Sequence, residues 1–104
     1  MKYYHGTTDI FNLKEILPPI ETDILRENWR TKYLDKIFLT TSLLSAQQYA
    51  CKACKIFSGN GIVYEVEPIG DIWFPNPYTN EYLADKGKIK GIACIYDKGL
   101  KKWI

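Results

Sequence analysis

The chain contains one histidine, His5, at the end of a stretch that has the composition of a β-strand. Gly6, Thr7 and Thr8 follow it, and a glycine directly after a strand-end histidine lets a ligand approach the backbone closely, because no Cβ blocks the way. An imidazole in that position could bind or orient a polar ligand. Taken alone, the same pattern is typical of a histidine that hydrogen-bonds to its own turn.

Glu81 and Phe38 are two further candidates. Glu81 follows a segment rich in proline and asparagine and begins an extended stretch, where its carboxylate could stabilise positive charge. Alone it is typical of an exposed surface carboxylate, and Phe38 alone is typical of a core residue. Neither residue indicates a function unless the fold brings it to His5.

The three cysteines, Cys51, Cys54 and Cys94, are an odd number, which excludes a closed disulfide framework. Cys51 and Cys54 form a C-x-x-C pair, which raises a zinc and a redox interpretation. Only Cys94 and His5 could complete four zinc ligands, and the segment lacks the turn residues of a zinc knuckle and the strand-to-helix turn of a thioredoxin site. We therefore expect structural, reduced thiols and no metal. Reduced thiols in turn indicate a reducing cytoplasm.

Length and charge limit the choice of class. A chain of 104 residues predicts a single domain over positions 1–104. The 14 basic and 12 acidic residues give a net charge of +2, too balanced to indicate nucleic acid or an acidic membrane as partner. No apolar run approaches the length of a membrane span, and the N-terminus turns polar at once, so we expect neither membrane insertion nor secretion.

The hydrophobic pattern predicts several strands and one main helix. Strands are expected where β-branched and aromatic residues alternate with polar ones: Lys2–His5 ended by Gly6, Lys36–Thr40, Gly61–Glu67 closed by Pro68 and Gly70, Glu81–Leu83, and Lys88–Tyr96. In the third of these strands, Ile62, Tyr64 and Val66 alternate with a wetter face formed by Val63, Glu65 and Glu67. Both glutamates are expected to be solvated or ion-paired.

The main helix is predicted over Ser42–Phe57, because its apolar residues recur at helical spacing, Ser42 or Ser45 can cap it, and Gly59 can end it. Thr7–Lys36 is irregular, and either a short helix over Asp23–Trp29 or a loop fits there. Asp71–Asn80 is expected to be a loop or an edge segment. One main helix among four or more strands favours an α+β fold with a mostly antiparallel sheet.

Four stretches resemble, in order, segments of the ADP-ribosyltransferase superfamily, most closely the small rifampin ADP-ribosyltransferase type. They are YYHGTT (Tyr3–Thr8), KIFLTTSLLSAQQYA (Lys36–Ala50), GIVYEVEPIG (Gly61–Gly70) and NEYLADKGKIKGI (Asn80–Ile92). With the loops between them they span most of the chain. The resemblance implies a poly(ADP-ribose) polymerase-like fold, in which a single small α+β domain has a mostly antiparallel split β-sheet and one main helix.

The resemblance also implies roles for individual residues, since the family uses a His–Tyr–acid trio to bind NAD and break its nicotinamide–ribose bond. His5 would hydrogen-bond the adenosine ribose, the Gly6 backbone would hold the nicotinamide amide, and Thr7 would support that turn. Phe38 stands where the family has a stacking tyrosine, so the ring face is kept and the hydroxyl is lost. Tyr49 would cover the other side of the nicotinamide.

Two positions compete for the acidic member of the trio. In the rifampin-modifying type the acid lies soon after the VEP-x-G segment, which points to Asp71. In the polymerase-like type it opens the later strand, which points to Glu81. We favour Glu81, because Tyr82-Leu83 and KIKGI also match there, and we assign Glu81 and His5 as catalytic. One carboxylate can stabilise the positive charge that develops on the ribose, and nicotinamide leaves as a neutral molecule, so neither a general acid nor a metal is required.

The resemblance therefore implies an NAD-dependent ADP-ribosyltransferase that uses NAD as co-substrate. The expected place is the cytoplasm, from the reduced thiols, of a bacterial or phage-infected cell, from the small size and the Lys, Ile and Asn usage of the chain. The acceptor is open: a small molecule, a protein or a nucleic acid. The loop Thr8–Lys36 is the expected acceptor side. An inactive binding or inhibitor module of the same fold is the alternative, favoured by Phe38 and by the short chain. RNA 2′-phosphotransfer ranks lower, because it normally needs several arginines and this chain has only Arg26 and Arg30.

Overall fold

The computed structural model describes residues 1–17, 36–74 and 80–104. Within them the chain forms β1 (Tyr3–Thr8), a 3₁₀ turn (Asp9–Phe11), β2 (Glu15–Ile16), β3 (Ile37–Thr40), α1 (Leu43–Phe57), β4 (Gly61–Trp73), β5 (Glu81–Asp97) and β6 (Lys102–Trp103). Every strand pairing in these residues is antiparallel. The predicted α+β class, with a mostly antiparallel sheet and one main helix, is confirmed for this part of the chain. The helix considered over Asp23–Trp29 lies outside it.

Four of the strands close into a ring. β1 pairs with β4 from Tyr3↔Val66 to Thr8↔Gly61, β4 pairs with β5 along most of its length, and β5 pairs with β3. β3 then returns to β1 through the pair Tyr4↔Thr40, which is the whole β1–β3 ladder within the described residues. Beyond this pair, at residues 5–8 of β1 and 37–39 of β3, the two strands form no regular ladder. We call this place the β1–β3 parting.

Two cores occupy the two faces of this sheet. The larger core lies on the face turned away from α1 and is formed by Ile16, Ile37, Leu39, Ile62, Tyr64, Val66 and Ala84. The smaller one lies under α1 and is formed by Ala46, Ala50, Val63 and Cys94. Tyr3 packs against the first core and Tyr4 against the second, as the alternation of side chains along a strand requires.

The helix follows its sequence signals closely. The Ser42 hydroxyl accepts a hydrogen bond from the Ser45 amide at 3.2 Å, so Ser42 is the N-terminal cap. The helix ends at Phe57, and Gly59 after it has a φ of 88°, a conformation that glycine adopts without strain. The predicted helix is confirmed to within one residue at its start.

The prediction that β1 ends at Gly6 is wrong, because the strand continues to Thr8. A Cβ placed on Gly6 would collide with the carbonyl oxygen of Ala46 and would lie 3.0 Å from the amide nitrogen of Ala50. Glycine is therefore needed inside the strand because the backbone of α1 rests directly on it. Thr7 is buried in the strand opposite Ile62 and does not belong to a turn.

The prediction that Pro68 and Gly70 close the strand Gly61–Glu67 is also wrong, because β4 runs on to Trp73. The pairing of β4 with β1 ends at Val66. Pro68, which has no amide hydrogen, therefore lies beyond the part of β4 that pairs with β1, so its missing donor costs no hydrogen bond to that strand. Gly70, with a φ of 88°, lies in the irregularity between Ile69 and Ile72 that lets the strand continue. Asp71–Asn80 is predicted as one of two alternatives, a loop or an edge segment, and its first three residues are strand.

β5 unites two predicted strands, Glu81–Leu83 and Lys88–Tyr96, because β4 pairs with it on both sides of the gap between them. On β4, Val63 is fully buried under α1 and does not share a wet face. The expectation for the glutamates is confirmed, since Glu65 lies 3.4 Å from the Lys2 ammonium and Glu67 is exposed.

Candidate functional site

The side chains of Tyr49 and Glu81 meet, although they are 32 positions apart in the chain. The Tyr49 hydroxyl donates to Oε1 of Glu81 at 3.4 Å. Tyr49 comes from the second turn of α1, and Glu81 is the first residue of β5, paired with Thr40. Both side chains are half-buried. The fold thus brings together the acid and one of the aromatic residues that the sequence indicated.

His5 makes a second long-range contact, with the main chain of β3. Its Nδ1 lies 3.0 Å from the carbonyl oxygen of Phe38, 33 positions away. A carbonyl oxygen can only accept a hydrogen bond, so Nδ1 carries the proton in this contact. The interpretation of His5 as a histidine bonded to its own turn is therefore wrong, because its partner belongs to the strand across the β1–β3 parting.

Strand alternation assigns each of these side chains to a face of the sheet. His5 leaves β1 on the face of Tyr3, away from α1, whereas Glu81 lies with Thr40 under α1. The histidine and the carboxylate therefore lie on opposite faces of the sheet, and β3 lies between Glu81 on β5 and His5 on β1. A ligand that contacts both side chains has to reach both faces of the sheet.

Phe38 shares the face of Glu81 and Tyr49. Its neighbours on β3, Ile37 and Leu39, belong to the core on the far face, so the Phe38 ring is directed towards α1. The ring is half-buried. Phe38 pairs with Leu83 of β5, which is two positions after Glu81 and on the same face. The helix side of the sheet therefore carries two aromatic rings and one carboxylate from three separate segments.

Gly6 and Thr7 have structural explanations that need no ligand. The missing side chain of Gly6 is accounted for by the backbone of α1, and the Thr7 side chain is buried within β1. Their binding roles stay predictions from the resemblance.

Asp71, the competing acid, lies at the irregularity of β4 and is exposed. Its backbone amide donates to the carboxylate of Asp85, and Oδ1 of Asp85 also accepts from the Lys36 ammonium at 2.9 Å. The hydrogen bond from Lys36 is the main cause of a lowered pKa at Asp85. Glu81, half-buried against Tyr49, has the more enclosed surroundings of the two candidates.

Lys36, Asp85 and Trp73 form a cluster that sequence reasoning missed. The Lys36 ammonium lies 4.5 Å from the centroid of the Trp73 ring, which keeps 39% of its surface exposed. The pairing of Ile37 with Ala84 places residue 36 opposite residue 85. The cluster could therefore have been found only from the register between β3 and β5, which cannot be read from the sequence alone.

The three cysteines are free thiols: Cys51 is exposed, Cys54 is half-buried and Cys94 is buried. Burial is the main cause of a raised pKa at Cys54, although a hydrogen bond with Thr8 acts in the other direction. Among the described residues no three His, Cys, Asp or Glu side chains are grouped so that they could hold a metal ion.

Several predicted features fall outside the described residues. Arg26, Arg30 and most of the loop Thr8–Lys36 belong to residues 18–35, and the central part of Asp71–Asn80 belongs to residues 75–79. In the part of the chain that is described, no helix combines the length and the apolar character needed to cross a bilayer.

Comparison with known proteins adds no relative to this picture. No protein-family model matches the chain, no curated protein matches it, and no solved structure matches it.

Proposed function

We propose that the protein is an NAD-dependent ADP-ribosyltransferase, which cleaves the nicotinamide–ribose bond of NAD and transfers ADP-ribose to an acceptor. The proposal rests on the resemblance of the four motifs and on one observation above all, the contact between Tyr49 and Glu81 on the face shared with Phe38. One carboxylate in contact with a tyrosine, on a face that also carries a phenylalanine, suits a substrate that combines a flat pyridine ring with a ribose that becomes cationic.

The reaction needs one anion and a correctly placed nucleophile. The bond between C1′ of the ribose and the nicotinamide nitrogen breaks, and its electron pair stays with nicotinamide, which leaves neutral. The Glu81 carboxylate stabilises the positive charge that develops on the ribose. The acceptor supplies an electron pair to C1′ and loses a proton, so the products are ADP-ribosylated acceptor, nicotinamide and a proton.

In this proposal NAD contacts both faces of the sheet beside the β1–β3 parting. The nicotinamide ring occupies the α1 side, between Phe38 and Tyr49, and the Gly6 backbone holds its amide while Thr7 supports that stretch. His5 contacts the adenosine ribose from the other side of the sheet. The acceptor is an unidentified small molecule, protein or nucleic acid. We place the reaction in the cytoplasm of a bacterial or phage-infected cell, where the free thiols would stay reduced.

The test is nicotinamide release from NAD, followed by chromatography for the wild type and three variants. We expect Glu81→Gln to lower the rate by about 100-fold or more, because it removes the charge that faces the ribose. Glu67→Gln, at an exposed position of β4, is the matched control and should leave the rate unchanged. Loss of release in Asp71→Asn with release kept in Glu81→Gln would assign the acid to Asp71.

A binding or inhibitor module of the same fold is the second candidate, and the observation in its favour is the missing hydroxyl at Phe38. Titration calorimetry with NAD, combined with the release assay, separates the two functions. Binding without release, in both the wild type and Phe38→Tyr, supports the module. Release by the wild type excludes it, and mass spectrometry of host extract incubated with labelled NAD then identifies the acceptor.

A further inference from the structure

The ladder between β1 and β3 is the shortest of the four strand pairings in the ring. β1 pairs with β4 at every position from Tyr3 to Thr8, and β3 pairs with β5 at every position from Ile37 to Thr40. Between β1 and β3 the described ladder is the single pair Tyr4↔Thr40. The separation of these two strands beyond that pair therefore depends on contacts other than a regular ladder.

The His5–Phe38 hydrogen bond lies at that point. Its donor, Nδ1 of His5, belongs to the residue directly after Tyr4, and its acceptor is the main chain of β3 two positions before Thr40. At 3.0 Å the contact has the length of an ordinary hydrogen bond. Because the acceptor is a main-chain oxygen, the bond holds the backbone of β3. It therefore also fixes the position of the Phe38 Cα, from which the side chain extends.

We propose that His5 is a positioning residue that holds β3 against β1 through this hydrogen bond. It thereby fixes the separation of the two strands at the β1–β3 parting and the position of Phe38. The imidazole supplies the cross-strand bond that the short ladder does not. The proton is then held on Nδ1, and in the neutral ring Nε2 keeps its lone pair. This inference concerns the fold of the parting and does not rest on the proposed reaction.

The first test is the tautomer of His5, measured by long-range ¹H–¹⁵N correlation on uniformly ¹⁵N-labelled protein. The chain has one histidine, so the imidazole signals belong to His5 without further assignment. We expect the neutral ring to carry its proton on Nδ1. A neutral ring protonated on Nε2 would overturn the proposal, because Nδ1 could then donate nothing to Phe38.

The second test compares His5→Ala with His5→Asn, whose side-chain amide can place a donor near the position of Nδ1. In His5→Ala we expect backbone amides at the β1–β3 joint to exchange about tenfold faster, while those between β4 and β5 keep the wild-type rate. The carbonyl ¹³C signal of Phe38 should move upfield as its donor is lost. His5→Asn should restore both readouts towards the wild type.

Two results of the second test would contradict this role of His5. One is an unchanged exchange rate at the joint in His5→Ala. The other is an equal acceleration in all strands, which would mean that His5 only supports global stability. If His5→Ala does not fold, the tautomer of the wild-type ring still decides the question. None of these measurements uses NAD, so they can fail or succeed independently of nicotinamide release.

Discussion

Tyr49 donates its hydroxyl to Glu81 across 3.4 Å, from the second turn of α1 to the first residue of β5. That distance is long for a hydroxyl donor, so the contact orients the carboxylate without binding it tightly. It also depends on the docking of α1 against β1, where Gly6 faces the helix backbone. The geometry of the candidate site is therefore set by packing between the helix and the sheet.

Tyr49→Phe should separate the hydroxyl from the ring. The variant keeps an aromatic face for nicotinamide and loses the donor to Glu81, so we expect kcat for nicotinamide release to fall about three- to tenfold while KM for NAD changes little. Tyr49→Ala should raise KM as well. Tyr96→Phe, whose ring packs against Trp103, is the control. A large rise of KM in Tyr49→Phe would show that the hydroxyl mainly binds substrate.

Gly6→Ala should be strongly destabilising. The added Cβ would meet the carbonyl of Ala46 and the amide of Ala50, which are backbone atoms and cannot rotate away. We expect the free energy of unfolding, measured by urea titration with tryptophan fluorescence, to fall by about 1–3 kcal/mol or more. Gly91→Ala, where a Cβ would have nothing within 4 Å, should change it by less than about 0.5 kcal/mol. Equal effects of the two substitutions would contradict the assigned helix–strand contact.

The Lys36–Asp85 pair should make stability depend on pH at the acidic end. Hydrogen bonding from Lys36 lowers the pKa of Asp85 in the folded chain, so folding favours the ionised carboxyl. The stabilisation is complete above the pKa of the unfolded chain, about 3.9, and is lost as the pH falls through the lower folded value. The pair is partly exposed, so the effect should be small.

Asp85→Asn measures this dependence directly. The difference in unfolding free energy between wild type and variant should be constant from about pH 5 to 8 and should shrink below about pH 4. Asp71→Asn, on the exposed side of the same irregularity, is the control. A difference that stays constant down to about pH 2 would contradict the lowered pKa.

The three thiols should react with iodoacetamide in a fixed order at neutral pH, as followed by peptide mass spectrometry. Cys51 is exposed and should react first. Cys54 should follow more slowly, because burial raises its pKa and lowers its thiolate fraction. Cys94 is buried and should react only when the chain unfolds. Faster alkylation of Cys54 than of Cys51 would instead favour a redox role for the C-x-x-C pair.

Local signals predicted the helix well, and long-range contacts explain where the sequence interpretation failed. Ser42 and the spacing of Ala46 and Ala50 act within a few residues, so the pattern contains the information. Gly6 and Pro68 were interpreted as strand ends because both residues usually interrupt regular structure. Whether they do so here depends on the backbone of α1 and on the end of β1 pairing, which no local window contains.

The candidate site shows the same division. The resemblance singled out Tyr49 and Glu81, and the fold places their side chains in contact. The bond from His5 to the Phe38 carbonyl was not predicted, because it depends on how β1 and β3 diverge. The opposite directions of His5 and Glu81 depend in the same way on register, and a one-residue slip would exchange the faces.

The closed ring of β1, β4, β5 and β3 has a consequence for the order in which the molecule assembles. β4 and β5 are neighbours in the chain and can form a hairpin early, whereas β1 emerges before β4 and has to wait for it to gain the partner with which it forms most of its pairs. The histidine-bearing strand is therefore expected to be among the last to settle. A nascent chain released before that docking would have its hairpin in place but would lack the pairing of β1 with β4 that closes the ring.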